Sequence, residues 1–137
     1  MAGGQIDWEA LLAAARRAAK EAYCPYSGLA IGAAVLGANS QIYAGCNVEN
    51  ASYGLTMCAE RVAMGNATAD GARPFQALVI VGQDEGPTSP CGACRQVLIE
   101  LAPDASVLLA GRLRSHRLDA RDLLPGPFTA SDLPVKS

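Results

Sequence analysis

Residues 52–61 read SYGLTMCAER and residues 90–96 read PCGACRQ, and these two stretches decide the fold around them. In the second stretch, Cys91 and Cys94 are three positions apart, a spacing that puts both sulfur atoms on one face of a helix. Pro90 suits the first turn of that helix. Cys58 in the first stretch also stands near a predicted helix start. A helix N-terminus stabilises thiolates, so both predicted helix starts favour the ionised form of their cysteines.

The three thiols of these stretches predict a zinc site. Cys58, Cys91 and Cys94 supply three soft ligands and leave one tetrahedral position open, which is typical of catalytic rather than structural zinc. The other candidate ligands are poorly placed: Cys24 lies in a turn, Cys46 ends a strand, and His116 lies in a distant C-terminal segment. We therefore expect an open zinc site, with Cys24 and Cys46 as small packing residues.

Glu60 lies two residues beyond Cys58. In a helix these positions point to different sides, so Glu60 is not expected to be a ligand. A carboxylate beside the open zinc position can take a proton from the attacking water and pass it to a ring nitrogen and a leaving amine. The alternative is an acid in the first turn that only interacts favourably with the helix dipole.

Arg61 addresses a charge problem at this site. Three thiolates and Zn²⁺ sum to −1, so the metal is a weaker Lewis acid than zinc held by neutral imidazoles. Arg61 is three residues beyond Cys58 on the same helix face and can donate hydrogen bonds to the thiolates. We predict that Arg61 tunes the acidity of the zinc; the alternative is a surface arginine in an ion pair along the helix.

Composition limits the partners. The chain has 137 residues, half of them hydrophobic, a net charge of −2 and a pI near 5.3. Nucleic acid is a poor candidate partner for such an acidic chain. No stretch is long and apolar enough to span a membrane, and no secretory signal is evident, so a cytoplasmic location is expected. Five cysteines without a signal argue against a disulfide framework.

Helices and strands alternate along the chain. The pattern predicts an α/β fold, a single three-layer domain over residues 1–137 with a mixed five-stranded sheet flanked by helices. The predicted helices cover residues 8–22, 56–68 and 91–101, with Asp7 as the first N-cap, and the predicted strands cover residues 29–36, 41–46, 75–81, 106–110 and 114–118.

Beyond single motifs, nearly the whole chain resembles one family. A Glu two residues after a zinc ligand, followed by Pro-Cys-x-x-Cys, is the zinc deaminase signature. The sequence closely resembles the small homotetrameric cytidine deaminases, on the segments 22–27 (AYCPYS), 45–54 (GCNVENASYG), 58–61 (CAER), 89–96 (SPCGACRQ) and 123–126 (LLPG).

This resemblance implies a function and a set of site residues. The function is zinc-dependent hydrolysis of cytidine and deoxycytidine to uridine and deoxyuridine, with release of ammonia, as in pyrimidine salvage. One zinc ion per subunit would be held by Cys58, Cys91 and Cys94, and Glu60 would shuttle protons during attack on C4. The implied substrate contacts are Asn47 and Glu49 to the ribose, the Ala59 backbone to the base and the Ser89 carbonyl to the amine.

The resemblance also implies that subunits share their sites. Tyr53 would reach a neighbouring subunit's site, and Phe128 would stack on the base from another subunit, which makes a homotetramer the expected assembly. Where the family usually has a phenylalanine that packs on the substrate, this sequence has Leu29, which keeps an apolar wall without an aromatic face.

Three other functions fit parts of the pattern. A deaminase of blasticidin-type nucleoside antibiotics would share the zinc chemistry, although the segment 47–50 (NVEN) favours an ordinary ribose. Polynucleotide editing would require a basic surface, which the acidic pI disfavours. A structural zinc module would need four protein ligands and would give Glu60 no role.

Overall fold

A computed structural model describes residues 5–134 as one sheet with helices on both faces. The helices are α1 (Trp8–Ala19), α2 (Ala59–Ala69) and α3 (Gly92–Leu101). The strands are β1 (Gly32–Leu36), β2 (Ile42–Cys46), β3 (Ala77–Val81), β4 (Ser106–Ala110) and β5 (Ser115–Asp119). Short 3-10 turns cover Tyr53–Leu55, Ala120–Leu123 and Ala130–Asp132.

The five strands are ordered β2-β1-β3-β4-β5, and the sheet is mixed as predicted. Only the β3–β4 pair is parallel; the other neighbours are antiparallel. Gly32 is in register with both Cys46 and Val81, so β2 and β3 end at the same edge of the sheet. The chain leaves these two ends toward α2 and α3, which brings the two helix starts to one edge.

Two apolar clusters on opposite faces of the sheet give the three layers. One cluster packs Leu11 and Ala15 of α1 against strand residues such as Val79. The other packs Met64 of α2 and Leu98 of α3 against the opposite face. Burial of these side chains accounts for the alternation of helices and strands, and the predicted three-layer α/β fold is confirmed.

Close packing of α2 against β2 depends on Gly45. A Cβ atom at this position would lie 2.5 Å from the backbone nitrogen of Ala63 and 2.8 Å from the carbonyl oxygen of Ala59. Any side chain there would push the first turn of α2 away from the sheet. The absence of a side chain at Gly45 therefore sets the position of the helix start that carries Cys58.

The element limits differ from the predicted ones in ways that have local causes. Strand β4 has the predicted limits, and Asp7 caps α1 by accepting from the Ala10 N–H at 3.1 Å. Helix α1 ends at Ala19 rather than Ala22, because the following N–H groups bond to carbonyls three residues back, as in a 3-10 turn. Strand β1 begins at Gly32 rather than Leu29.

Within residues 5–134, the helices are too short or too polar to cross a bilayer. The predicted domain limits, 1–137, reach beyond the described residues at both ends, so these limits stay a prediction.

Candidate active site

The three predicted zinc ligands come together at the edge of the sheet. The sulfur of Cys91 lies 3.5 Å from that of Cys58 and 3.4 Å from that of Cys94, and all three sulfurs lie within 4.8 Å of one another. Cys58 is the N-cap of α2 and Cys91 is the N-cap of α3, both with extended backbone. The three cysteines are therefore close together, as predicted, because the N-terminal ends of α2 and α3 lie side by side.

This arrangement fits a zinc ion. Four ligands at about 2.3 Å in a tetrahedron lie roughly 3.8 Å apart, close to the separations of the three sulfur atoms. No fourth Cys, His, Asp or Glu joins this group within the described residues. The described donor set is thus three thiols, the number of protein ligands typical of catalytic rather than structural zinc sites.

The cluster favours negative charge on one sulfur atom, that of Cys58. Hydrogen bonds with Cys94, Arg61 and Cys91 lower the pKa of Cys58 to about 5, against the opposing effect of burial. The same interaction with Cys58, together with burial and the Glu60 charge, raises the pKa of Cys94. Like charges this close oppose each other, and a divalent cation among them supplies the opposite charge that lets all three ionise.

Arg61 lies against the cluster as predicted. Its Nη2 donates to the Thr56 carbonyl at 3.3 Å and to the Cys58 sulfur at 3.8 Å. Its Nε is buried and has no hydrogen-bond partner within residues 5–134. Hydrogen bonds to Cys58 and Cys94 raise the pKa of Arg61. Arg61 therefore adds positive charge directly to the sulfur cluster.

Glu60 is a buried carboxyl group beside the thiols. It lies in the first turn of α2 with 4% of its surface exposed. Burial raises its pKa, and the Cys58 charge acts in the same direction. A first-turn acid that only interacts with the helix dipole has no need of this burial, whereas a proton carrier gains from a raised pKa.

The polar loop after β2 is held by its own side chains. Asn47 is buried; its Oδ1 accepts from the Ile31 N–H at 2.9 Å and its Nδ2 donates to the Leu29 carbonyl at 2.8 Å. These side-chain bonds take up the Ile31 N–H and the Leu29 carbonyl just before β1, which begins at Gly32. Asn47 thus fixes the backbone that carries Leu29.

Glu49 is fixed by the turn at Tyr26 and Ser27. Its Oε1 accepts from the N–H groups of Tyr26 at 3.0 Å and Ser27 at 3.1 Å, and its Oε2 accepts from the Ser27 hydroxyl. The Ser27 hydroxyl also accepts from the Leu29 N–H at 3.0 Å. These bonds, led by the one from the Ser27 side chain, lower the pKa of Glu49. A cavity of about 390 Å³ lies against Glu49 and is lined by Tyr26, Ser27, Asn50, Tyr53 and Thr56.

The other predicted contact residues differ in exposure. Ala59 is fully buried at the start of α2, whereas Leu29, Tyr53 and Phe128 expose 54%, 76% and 59% of their surfaces. The Tyr53 ring meets the Tyr26 ring edge-on, with centroids 6.3 Å apart. Large apolar side chains this exposed are available to other copies of the chain.

Two polar residues of the second motif were given no role by the sequence reasoning. Arg95 donates to the Ser89 hydroxyl at 2.6 Å and to the Pro90 carbonyl at 2.9 Å, just before Cys91. Gln96 donates to the Phe128 carbonyl at 2.8 Å. The sequence did carry a signal for the role of Arg95. It lies four residues after the N-cap cysteine Cys91, and Arg61 lies three residues after Cys58.

Comparisons with known proteins agree with this geometry. Residues 6–110 match the family model described as the cytidine and deoxycytidylate deaminase zinc-binding region. A cytidine deaminase of Sporosarcina psychrophila is 44% identical over 130 residues, covering 93% of this chain and 96% of that protein. One of Mycobacterium tuberculosis is 43% identical over 129 residues, covering 94% and 95%. The crystal structure of a cytidine deaminase from Burkholderia pseudomallei superposes with a TM-score of 0.86 at 47% identity, covering 90% of this chain and all of that one.

Proposed function

This chain belongs to the cytidine and deoxycytidylate deaminase family, and from that premise we propose that it hydrolyses cytidine and deoxycytidine to uridine and deoxyuridine with release of ammonia. The observation that carries the proposal is the buried Glu60 carboxyl group beside three convergent thiols. This pairing of a metal-binding cluster with a proton carrier is what hydrolytic removal of an exocyclic amine requires.

Cys58, Cys91 and Cys94 hold one zinc ion per chain in this proposal. A bound zinc ion supplies a Lewis acid that makes water acidic enough to act as a nucleophile at neutral pH. Helix N-termini at Cys58 and Cys91 and the guanidinium of Arg61 offset the charge of the three thiolates. The chain thereby corrects the electron-rich character of a thiolate ligand set.

Glu60 carries the protons of the reaction. Water adds its oxygen to C4 of the base while Glu60 accepts a proton and delivers it to the ring nitrogen N3. Glu60 then transfers the second proton of that water to the amino group, the C4–N bond breaks, and ammonia leaves. The sum is nucleoside plus water giving the keto product plus ammonia, and Glu60 returns to its starting state.

Substrate recognition is proposed to use backbone and loop groups around this centre. Asn47 and Glu49 bind the ribose 3′-hydroxyl, and the cavity that lies against Glu49 supports a sugar at this position. The Ala59 backbone contacts the base, and the Ser89 carbonyl accepts from its amine. Leu29 forms an apolar wall at the base.

The assembly is proposed to be a homotetramer with shared sites. The support is the exposure of Tyr53 and Phe128, which on a lone chain would leave two aromatic rings in water. In the tetramer, Tyr53 reaches a neighbouring site and Phe128 covers the base from another copy. Sedimentation velocity of the purified protein tests this assembly, since a monomer at micromolar concentration contradicts it.

The cellular setting is also a proposal. A cytoplasmic location suits the five free cysteines, because a zinc site of three thiols needs a reducing compartment to remain loaded. The net charge of −2 supports a nucleoside rather than a nucleic acid as the substrate.

The decisive experiment is an absorbance assay. Purified protein is mixed with cytidine or deoxycytidine, and loss of the cytosine absorption band is followed with and without a metal chelator. We expect turnover that the chelator abolishes and added zinc restores. No turnover with zinc-loaded protein on either nucleoside contradicts the proposal.

A competition assay separates the nearest alternative. Cytidine is mixed with a blasticidin-type nucleoside in equal amounts, and both products are measured. Preference for cytidine is expected from the ribose-binding loop at Asn47 and Glu49. Preference for the antibiotic would identify a resistance deaminase with the same zinc chemistry.

A further inference from the structure

The loop that leads to Cys91 has little support of its own. Residues 87–90 read PTSP, and within residues 5–134 these four take part in no backbone–backbone hydrogen bond. Two of the four are prolines, which have no N–H to donate. The position of Cys91 therefore depends on contacts from outside this loop.

Arg95 supplies those contacts from the first turns of α3. Its Nη2 donates to the Ser89 hydroxyl at 2.6 Å, and its Nε donates to the Pro90 carbonyl at 2.9 Å. Its Nη1 donates to the Leu123 carbonyl at 2.8 Å, in the 3-10 turn Ala120–Leu123. One planar group thus joins the metal-bearing turn to a segment 28 residues away.

Within residues 5–134, the guanidinium of Arg95 has no carboxylate partner. Among the described residues, the ion pairs involve Arg112, Arg114 and Arg121. All three acceptors of Arg95 are neutral oxygen atoms fixed at different angles around the guanidinium. Lysine is a flexible point charge and cannot reproduce this fork, so the geometry calls for arginine in particular.

We infer that Arg95 is a positioning residue that holds the Ser89–Cys91 turn in the geometry needed to bind zinc and ties that turn to the C-terminal segment. This inference rests on the zinc site of the proposed function but not on the reaction. Gln96 extends the same connection, since its amide donates to the Phe128 carbonyl at 2.8 Å. Helix α3 therefore fixes both the cysteine turn and the backbone of the exposed aromatic residue.

The test compares Arg95→Gln and Arg95→Lys with wild type. Zinc affinity is measured on reduced, metal-free protein by competition with a coloured chelator, and folding is checked by circular dichroism. We expect Arg95→Gln to raise the zinc dissociation constant about tenfold or more, as for other groups that orient metal ligands. Arg95→Lys should recover only part of this loss.

Arg121→Gln is the matched control. Arg121 is an exposed arginine in the same turn as Leu123, where it pairs with Asp104 at 2.9 Å. Its loss should leave zinc affinity within about twofold of wild type, because exposed ion pairs contribute little. Amide exchange at Ser89 and Cys91 should rise in Arg95→Gln and stay unchanged in Arg121→Gln.

A purely structural Arg95 predicts a different result. Folded Arg95→Gln protein would then unfold at lower temperature but bind zinc as tightly as wild type, and that outcome overturns the inference. If Arg95→Gln does not fold, Ser89→Ala decides, because it removes one acceptor and leaves the arginine in place. We expect about a two- to tenfold rise in the zinc dissociation constant for Ser89→Ala, and no rise overturns the inference.

The readout also separates this inference from the proposed reaction. Zinc affinity is measured without any nucleoside. A protein that binds zinc in the expected rank order but leaves cytidine unchanged would contradict the proposed function and leave the role of Arg95 standing.

Discussion

The starts of α2 and α3 are built alike but stabilised in different ways. Each begins after an N-cap cysteine with extended backbone, and each has an arginine within the next four residues. Arg61 in α2 contacts sulfur, whereas Arg95 in α3 contacts the oxygens of Ser89, Pro90 and Leu123. These contacts are the basis of our proposal that the first arginine acts on charge and the second on position.

Only one of the two helix starts has a carboxylate two residues after its N-cap cysteine. Glu60 stands two residues after Cys58, whereas the corresponding residue after Cys91 is Ala93. Helix α3 instead contributes a second sulfur, that of the buried Cys94. We therefore expect the two helices to have different roles. Helix α2 would provide proton transfer and control of charge, and α3 would provide two of the three metal ligands.

The largest expected effect is loss of zinc binding. Cys94→Ala removes a buried ligand and leaves one sulfur on each helix, so we expect zinc content near zero and no measurable turnover. Metal analysis after gel filtration checks this. Cys46→Ala, a thiol outside the cluster, is the control and should keep its zinc. A Cys94→Ala protein with full zinc content would mean that Cys94 is not a required metal ligand.

The second-largest effect is expected for loss of the Glu60 carboxylate. Glu60→Gln keeps the shape of the side chain but cannot accept a proton, so we expect the zinc to remain and kcat to fall by about 10²- to 10⁴-fold. Steady-state kinetics with zinc-loaded protein measures the change. Turnover within tenfold of wild type would sink the idea that α2 provides proton transfer.

Arg61 should have a smaller effect on rate than Glu60. Arg61→Ala removes positive charge beside the Cys58 sulfur, and we expect kcat to fall about tenfold or more while KM changes little. Arg61→Lys keeps the charge and should recover part of the loss. An unchanged kcat in Arg61→Ala would contradict charge control, and the contrast with Arg95 would then have no basis.

A change outside both helix starts should have the smallest effect. Leu29→Phe adds an aromatic face to the exposed wall near the base, worth about 0.5–1.5 kcal/mol, so KM should fall about two- to tenfold. Zinc affinity should not change, since Leu29 lies outside the cluster. A raised KM would mean that the wall at residue 29 is too close to the base for a larger ring.

Much of this fold and site could be predicted from the sequence because the signals were local. Apolar runs predicted β1 to β4, and β4 had the predicted limits. Strand β5 is polar and mostly exposed, and its pattern indicated only a possible strand. Spacing predicted that Cys91 and Cys94 share one helix face. Cys58 was added to them by the number of ligands that a catalytic zinc site needs, not by helical geometry. The burial of Glu60 also agrees with its predicted role as a proton carrier.

The misses share a physical cause, because each depends on contacts between distant residues. Asn47 binds the Ile31 N–H and the Leu29 carbonyl through its side-chain amide, which no local pattern shows. Arg95 reaches Leu123, and Ser27 binds Glu49. A side chain that satisfies another segment's backbone carries no periodic signal, so propensity and spacing could not predict these roles.

The separation of Cys58 and Cys91 along the chain gives the metal a further effect. Their sulfurs are 3.5 Å apart although 33 positions separate the residues. A zinc ion held by both residues would act as a reversible cross-link. For a loop of this length, the lost chain entropy would raise the free energy of the unfolded state by about 4 kcal/mol. Removal of zinc should therefore lower the free energy of unfolding, as reduction of a disulfide does, and a constraint of this kind forms without an oxidant.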